Sequence, residues 1–189
     1  MKIGYIVQGS SDQGFLIGLR DRWCAKATID PLQFRGTRFR PRDYPGVCAE
    51  ALIKDYDLVV ILTDTDTRGW SEVRTEELSR LQEPYEIETL LGVANRNIEC
   101  WICADQLYVA KRLNIDPSVL RVNDPKRAFQ KAMGITRDDK KLDEIAGLIA
   151  EAPSLRAFLN NSPSLKAFYR EVRAYANRRN CAMRDELQL

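Results

Sequence analysis

The chain has 189 residues, 44% of them hydrophobic, and its 29 Lys and Arg against 27 Asp and Glu leave a net charge of +2. It contains no histidine, which excludes Ser-His-Asp and Cys-His catalysis, HNH-type nucleases and histidine-ligated zinc. Enzyme chemistry would therefore depend on carboxylates, lysine, cysteine or a metal held by oxygen ligands. No apolar run approaches the roughly 20 residues of a membrane helix, and the N-terminus lacks a signal peptide's apolar core. We expect a cytoplasmic protein without membrane contact.

The first 123 residues alternate apolar segments with helical patterns. Strands are predicted over 2–7, 28–34, 58–62 and 87–94. Helices are predicted after the Gln8–Ser11 turn and over 46–54, 70–83 and 97–112. The continuous apolar run 58–62 is typical of a strand buried on both faces of a parallel sheet. The alternation predicts an α/β fold with a mostly parallel, Rossmann-like sheet.

The strand pattern disappears at Asp124. Helices are predicted over 126–134, 138–151, 153–160 and 163–178. Residues 126–189 carry 13 Lys and Arg against 8 Asp and Glu, whereas residues 1–125 carry 16 against 19. We therefore expect an α/β domain over 1–123 followed by a basic helical subdomain over 124–189.

The five cysteines are scattered along the chain. An odd number without regular spacing favours reduced thiols over a disulfide framework. Cys100 and Cys103 form a C-x-x-C motif, but neither a second pair nor a histidine completes a zinc site. Because the motif lies in an apolar, helix-like segment, we interpret both residues as buried structural thiols.

Polar residues follow the predicted strands at the edge where open α/β sheets bind ligands. The first strand leads into Gln8 and Asp12, and the third leads into Asp64 and Asp66. Two residues apart in extended geometry, Asp64 and Asp66 leave the backbone on the same side, and their mutual repulsion favours a bound cation. Oxygen ligands suit Mg²⁺ or Mn²⁺. A solvated pair of loop aspartates is the alternative interpretation.

These motifs carry a family resemblance. An apolar strand, x-Gly-x-x-Asp, a second apolar strand and Asp-x-Asp, in that order, resemble a Toprim domain, which occurs in topoisomerases, primases and the overcoming-lysogenization-defect nucleases. A Toprim-related bacterial family of poorly characterised function is more similar still, through residues 98–105, 124–126 and 161–165. The resemblance covers most of the chain. It implies a Toprim-like α/β domain with a C-terminal helical subdomain.

The same resemblance implies a function. It points to a Mg²⁺- or Mn²⁺-dependent nuclease, or a nuclease-like subunit, of a prokaryotic anti-phage defence system. Phosphodiesters would be hydrolysed by metal-activated water. Asp64 and Asp66 would hold the metal, and Asp12 would assist.

One expected catalytic group is missing. A Toprim site has a glutamate before the first glycine as general acid or base, and this chain has Gln8, which cannot exchange a proton at useful pH. Natural divergence and an engineered substitution both remain open as the origin of Gln8. Glu99 is the candidate replacement, although a glutamate at a helix start is also favoured by the helix dipole. Lys126 begins a predicted helix, where it would contact a phosphate or remain solvated.

The alternative function is a catalytically reduced Toprim-like subunit that works by binding a partner. Related proteins are often encoded beside ATPases, so the resemblance implies an ATPase partner. Gln8 favours this alternative, whereas the Asp64 and Asp66 pair favours the nuclease.

A basic loop raises the possibility of nucleic-acid contact. Its arginines alternate with Phe34 and Phe39, and phosphate contacts combined with stacking aromatics are typical of nucleic-acid binding; they are Arg35, Arg38, Arg40 and Arg42. Arginine-rich loops also serve as subunit contacts, so an oligomer is an open alternative. The net charge of +2 is lower than that of a dedicated nucleic-acid binder.

Overall fold

The computed structural model describes residues 1–32, 44–81, 87–121 and 123–181. Its centre is a four-stranded sheet in the order β2-β1-β3-β4, and every strand pair is parallel. The strands are β1 (Lys2–Ile6), β2 (Thr28–Pro31), β3 (Leu58–Asp64) and β4 (Thr89–Ala94). This architecture confirms the predicted α/β class with a parallel, Rossmann-like sheet.

Helices connect the strands and continue after the sheet is complete. The described residues contain α1 (Ser10–Trp23), α2 (Tyr44–Ile53), α3 (Trp70–Arg80), α4 (Ile98–Ile102), α5 (Gln106–Leu113), α6 (Lys126–Met133), α7 (Leu142–Ala150), α8 (Arg156–Asn161) and α9 (Pro163–Arg178). A 3₁₀ turn covers Pro117–Leu120. Within this described part of the chain, no helix combines the length and apolar composition needed to cross a membrane.

The apolar run of β3 is buried on both faces, as its composition predicts. Leu58, Val60 and Leu62 belong to one hydrophobic cluster, which α1, α4, α7 and α9 complete. Val59 and Ile61 belong to a second cluster, which α2 and α3 complete. Successive strand residues face opposite sides of a sheet, so a continuous apolar run fits a strand with a helical layer on each side.

Two predicted helices differ from those observed. The predicted helix over 97–112 divides into α4 and α5, because the Asp105 side chain accepts a hydrogen bond from the backbone N–H of Tyr108 and begins a new helix. The helix predicted to start at 138 begins only at Leu142. Lys141 before it has a left-handed backbone with φ of 53°, which interrupts a helix of L-residues.

The helices beyond residue 124 share a core with the α/β part. Glycines in α1 allow α7 to approach closely, since a Cβ atom on Gly14 or Gly18 would collide with Ile145, Ile149 or the backbone of α7. Phe15 of α1 and Phe168 of α9 lie in the same hydrophobic cluster. The position of α1, and of any side chain it carries, therefore depends on the C-terminal helices.

One disulfide corrects the expectation that the cysteines are unpaired. Cys24, directly after α1, is bonded to Cys181, 157 residues later, with their Cα atoms 5.3 Å apart. The sequence spacing does not show this pairing, because it arises only when α1 and α9 end at the same place in the fold. Cys48, Cys100 and Cys103 are free.

A buried arginine of α1 donates hydrogen bonds to the C-terminal end of α7. Arg22 is 3% exposed, and its guanidinium donates to the carbonyl oxygens of Ile149, Ala150 and Ala152 at 2.5–3.2 Å. These carbonyls lie in or just after the last turn of α7, where oxygens lack partners within the helix. Arg22 therefore satisfies the C-terminus of α7 from a neighbouring helix.

Replacing Arg22 with methionine is expected to lower the free energy of unfolding by about 2–3 kcal/mol, because buried carbonyl oxygens lose a charged donor. Chemical denaturation measures the change. Arg112→Met is the control, since Arg112 makes an exposed ion pair with Glu151 at the same end of α7 and should cost less than about 1 kcal/mol. Equal losses in the two variants would contradict the capping role.

Candidate functional site

The carboxyl ends of β1 and β3 lie side by side at the point where the strand order reverses. From β1 the chain crosses to β2 on one side, and from β3 it crosses to β4 on the other. Ligands of open α/β sheets bind at such switch points. The segments that leave these strands carry Gln8, Asp12 and Asp64, and Glu99 follows the neighbouring strand β4. The topology therefore brings these four of the predicted site residues to one edge.

Three carboxylates at this edge each have a buried oxygen without a hydrogen-bond partner. Asp12 is 4% exposed and Glu99 is 2% exposed, while Asp64 is half-buried at the end of β3. The partnerless atoms are Asp12 Oδ1, Asp64 Oδ1 and Glu99 Oε2. Folded proteins rarely leave buried acceptors unsatisfied, so these three oxygens lack the protein partners that such atoms usually have. We call Asp12, Asp64 and Glu99 the carboxylate cluster.

The cluster is electrostatically costly when no cation is bound. Burial, together with the charges of Asp64 and Glu99, raises the pKa of Asp12 to about 7. Burial is also the largest cause that raises the pKa of Asp64 to about 7; the charges of Glu99 and Asp66 add to the effect of burial, and the charge of Lys126 opposes it. A divalent cation would reverse the balance by favouring the ionised carboxylates.

Glu99 is held in the cluster by two other helices. The Ser11 hydroxyl of α1 and the Gln130 amide of α6 each donate to Glu99 Oε1 at 3.0 Å. Both donors bind the same oxygen, so Oε2 remains without a partner. Glu99 lies in the first turn of α4, as the sequence predicted. Its fixed orientation, with one oxygen satisfied and one open, suits a ligand or proton-transfer role at this edge.

Gln8 and Lys126 each lie near Asp64 of the carboxylate cluster. Gln8 is exposed, and its side-chain amide donates to Thr63 Oγ1 at 3.0 Å, which joins the ends of β1 and β3. Lys126 is the first residue of α6, and its charge lowers the pKa of the Asp64 carboxyl group. The ammonium group of Lys126 is therefore near enough to Asp64 for its charge to act on that carboxylate.

The prediction that Asp64 and Asp66 lie on one extended stretch of backbone is wrong. β3 ends at Asp64, and Asp66 is exposed in a turn with a left-handed φ of 53°. The backbone N–H of Arg96 binds the Thr65 hydroxyl at 2.8 Å, and Asp66 N–H binds the Arg96 carbonyl at 3.0 Å. These bonds turn the chain away from the extended path. Asp66 is exposed to solvent, whereas Asp12 and Glu99 are buried near Asp64.

The carboxylates are neighbours without forming a complete coordination shell. Within the described ranges, no three His, Cys, Asp or Glu side chains are placed so that they could hold a metal ion without rearrangement. Uncompensated negative charges repel each other, so a cation would have to draw the three side chains inward. Their open, hard oxygen atoms are of the type that Mg²⁺ and Mn²⁺ bind. The chemistry of the donor atoms therefore fits such an ion, whereas their present arrangement does not yet form its coordination shell.

The C-x-x-C motif lies beside the cluster. Cys103 is buried, and burial raises its pKa far above the ordinary value, as expected of a structural thiol. Cys100 is only half-buried, and burial raises its pKa as well. Neither thiol is a ready thiolate ligand at neutral pH.

The predicted nucleic-acid loop lies outside the described residues, so the structure does not place its arginines: Arg35, Arg38, Arg40 and Arg42. No protein-family model, curated protein or solved structure matches this chain. The Toprim relationship stays a prediction from the sequence motifs. The functional proposal depends on the geometry of the carboxylate cluster.

Proposed function

We propose that this chain is a Mg²⁺- or Mn²⁺-dependent phosphodiesterase that cuts nucleic acid. The observation that supports this most is the carboxylate cluster, in which three different elements bring buried, partnerless oxygens to the switch point of the sheet. A structural role explains such a group poorly, because buried like charges destabilise a fold unless a ligand compensates them. The Toprim resemblance supplies the phosphodiester chemistry and implies a prokaryotic defence role.

The residues of the carboxylate cluster and their neighbours have different proposed roles. Asp12, Asp64 and Glu99 hold the cation, and Ser11 and Gln130 fix the orientation of Glu99. The cation would polarise the phosphoryl oxygens and supply a water of lowered pKa. Since Asp66 is exposed and its charge acts on Asp64, it contributes charge more than direct ligation.

Lys126 and Gln8 have separate roles on the substrate side. Lys126 balances the charge of a phosphate at Asp64, because its ammonium group already acts on that carboxylate. Gln8 positions groups by hydrogen bonding but cannot carry a proton. Proton transfer then falls to water or to Glu99, which predicts slow turnover compared with a site that has glutamate at position 8.

A second candidate function is favoured by Gln8 itself. Its amide is engaged with Thr63, so the position expected to transfer protons is occupied by a structural contact. A subunit that retains cation binding but has lost turnover would act through a partner, and the family resemblance implies an ATPase. Catalysis by the glutamate variant separates the two candidates.

Gln8→Glu is expected to increase Mg²⁺-dependent nicking of supercoiled plasmid by at least about tenfold, because a positioned general base typically contributes 10²–10⁴-fold. The exposed position tolerates the change, since the Thr63 hydroxyl is able to donate to a carboxylate instead. Nicking in Mg²⁺, in Mn²⁺ and in EDTA is measured for wild type and variant, with single-stranded RNA as a parallel substrate.

Gln13→Glu is the matched control, because it adds the same charge to the partly exposed face of α1 without entering the Gln8 position. It should leave nicking unchanged. Adding Glu99→Gln to the Gln8→Glu variant should abolish the gain. A folded Gln8→Glu protein that binds Mn²⁺ but cuts neither DNA nor RNA would overturn the phosphodiesterase proposal and favour the partner-binding subunit.

A further inference from the structure

A cavity of about 510 Å³ is lined by residues that neighbour Glu99 and Lys126 in sequence. Cys100, the residue after Glu99, lines it, and so does Pro125, the residue before Lys126. Asn95, directly after β4, also lines it. Its size is within the range of small-molecule sites, about 300–1,000 Å³. A ligand in this cavity would therefore contact the chain beside a carboxylate of the cluster and beside Lys126.

The lining is polar but uncharged. Among the described residues that line the cavity there is no Asp, Glu, Lys or Arg. Side-chain amides dominate, together with hydroxyl groups and one aromatic ring; the principal groups are Asn95, Gln106, Asn123, Asn161, Ser164 and Trp70. Amides offer both donors and acceptors, and such pairs recognise the edges of nucleobases. A phosphate or an ammonium group would find no opposite charge here.

Some polar side chains of the cavity already make hydrogen bonds within the protein, whereas others make none to the described residues. Ser164 Oγ accepts from Trp101 Nε1 at 2.7 Å, and Asn161 donates to the Ala104 carbonyl at 2.8 Å. By contrast, the side-chain amides of Asn95, Gln106 and Asn123 make no hydrogen bond to another described residue. The cavity thus combines polar groups held by hydrogen bonds within the protein with three amides available to a ligand.

Trp70 supplies a stacking surface. It is the first residue of α3 and is partly exposed, whereas Trp23 and Trp101 are almost completely buried. Unpaired bases are commonly bound by stacking on aromatic rings while amides read their edges. Trp70 is therefore the tryptophan available both to bind a flat ligand and to report on it.

We propose that this cavity binds the base of an unpaired nucleotide whose phosphate faces Lys126 and the carboxylate cluster. The inference rests on the proposed function, because it names the part of the substrate that the phosphodiesterase holds. Cationic groups connect the two places: Arg96 and Lys126 both act on Asp124, which adjoins Pro125 at the cavity. A nucleotide with its base in the neutral cavity would meet positive charge at its phosphate.

Nucleosides test the cavity without involving the metal site. Quenching of Trp70 fluorescence is measured with adenosine, guanosine, cytidine and uridine in EDTA. We expect saturable quenching by at least one of them, and absence of that signal in Trp70→Phe. Asn123→Ala should weaken binding about fivefold, the effect of one lost hydrogen bond. The control Asn177→Ala, an exposed asparagine of α9 outside the cavity, should bind as wild type does.

The test distinguishes failure of the base site from failure of the phosphodiesterase proposal. Saturable nucleoside binding that Asn123→Ala weakens supports the base site, even if the protein fails to bind Mn²⁺ and the phosphodiesterase proposal falls. Mn²⁺ binding without saturable quenching by any nucleoside overturns the base site and leaves the phosphodiesterase proposal in place. Equal binding by wild type and Asn123→Ala also overturns the assignment to this cavity.

Discussion

Asp12→Asn is expected to stabilise the metal-free protein while weakening its affinity for Mn²⁺. Burial and the charges of Asp64 and Glu99 raise the pKa of Asp12 from 3.8 to about 7. Ionisation of Asp12 therefore costs folding free energy that increases from about pH 4 to pH 7 and is fully present above that range. An isosteric amide removes this cost, with an expected gain of about 1–3 kcal/mol near pH 8 that disappears near pH 4.

Asp12→Asn should weaken metal binding, although it increases the stability of the metal-free protein. Loss of one carboxylate ligand is expected to weaken Mn²⁺ binding by roughly a hundredfold, since even residues that only support a ligand contribute about 10–100-fold. Thermal unfolding in EDTA at pH 4 and pH 8 measures the stability, and calorimetric titration measures the affinity for Mn²⁺.

Asp66→Asn is the matched control for Asp12→Asn. Asp66 is exposed, and asparagine tolerates its left-handed backbone, so stability should stay within about 0.5 kcal/mol. Mn²⁺ affinity should fall only a few-fold through the lost charge. If Asp12→Asn destabilised the metal-free protein at both pH values, the cluster would be a structural hydrogen-bonded group and not a binding site.

Trp101→Ala is expected to lower the free energy of unfolding by about 3–5 kcal/mol, the usual loss for a large aromatic in a core. Trp101 is fully buried, and its ring centroid lies 5.5 Å from those of Phe15 and Phe168. Its indole N–H also donates to Ser164. Because Trp101 anchors α4, the loss should also disturb Glu99 and weaken Mn²⁺ binding.

Trp70→Ala is the control for Trp101→Ala, because it removes the same kind of side chain from a different environment. Trp70 is partly exposed at the start of α3, so its removal should cost less than about 1.5 kcal/mol. Urea denaturation of the two variants measures both values. If Trp70→Ala and Trp101→Ala lowered the free energy of unfolding by similar amounts, burial of Trp101 would not contribute the extra stability that we expect.

The parallel sheet was predictable because its signal is local. The residues of β3 form an unbroken apolar run, and such a run fits a strand covered on both faces. The helix after β1 and the last helix, Pro163–Arg178, were also readable, since their apolar residues recur at helical spacing. Periodicity identifies these elements without any knowledge of distant contacts.

The division between α4 and α5 was not predictable from periodicity. The apolar pattern continues across it, and the break depends on the Asp105 side chain capping a new helix. A cap is a single hydrogen bond between a side chain and the backbone, and an aspartate inside an apolar pattern is compatible with either a cap or an exposed helix position.

The composition of the site was predicted better than its geometry. Asp12, Asp64 and Glu99 were all identified, but Asp66 was placed beside Asp64 on the assumption of extended backbone. Hydrogen bonds from a different loop, around Arg96, create the turn that separates them. The donors to Glu99 were missed, because Ser11 and Gln130 are 88 and 31 residues from it in sequence. The strand order and the packing of α1 and α6 against α4 bring these groups together.

The most direct test of the central claim is a crystal soaked in Mn²⁺ and measured for anomalous scattering. We expect an ion coordinated by oxygens of at least two of Asp12, Asp64 and Glu99, at about 2.0–2.3 Å. Crystals of Asp12→Asn soaked in the same way should show a weaker peak or none. A wild-type cluster that shows no peak at high Mn²⁺ concentration, with the three side chains ordered, would contradict the account.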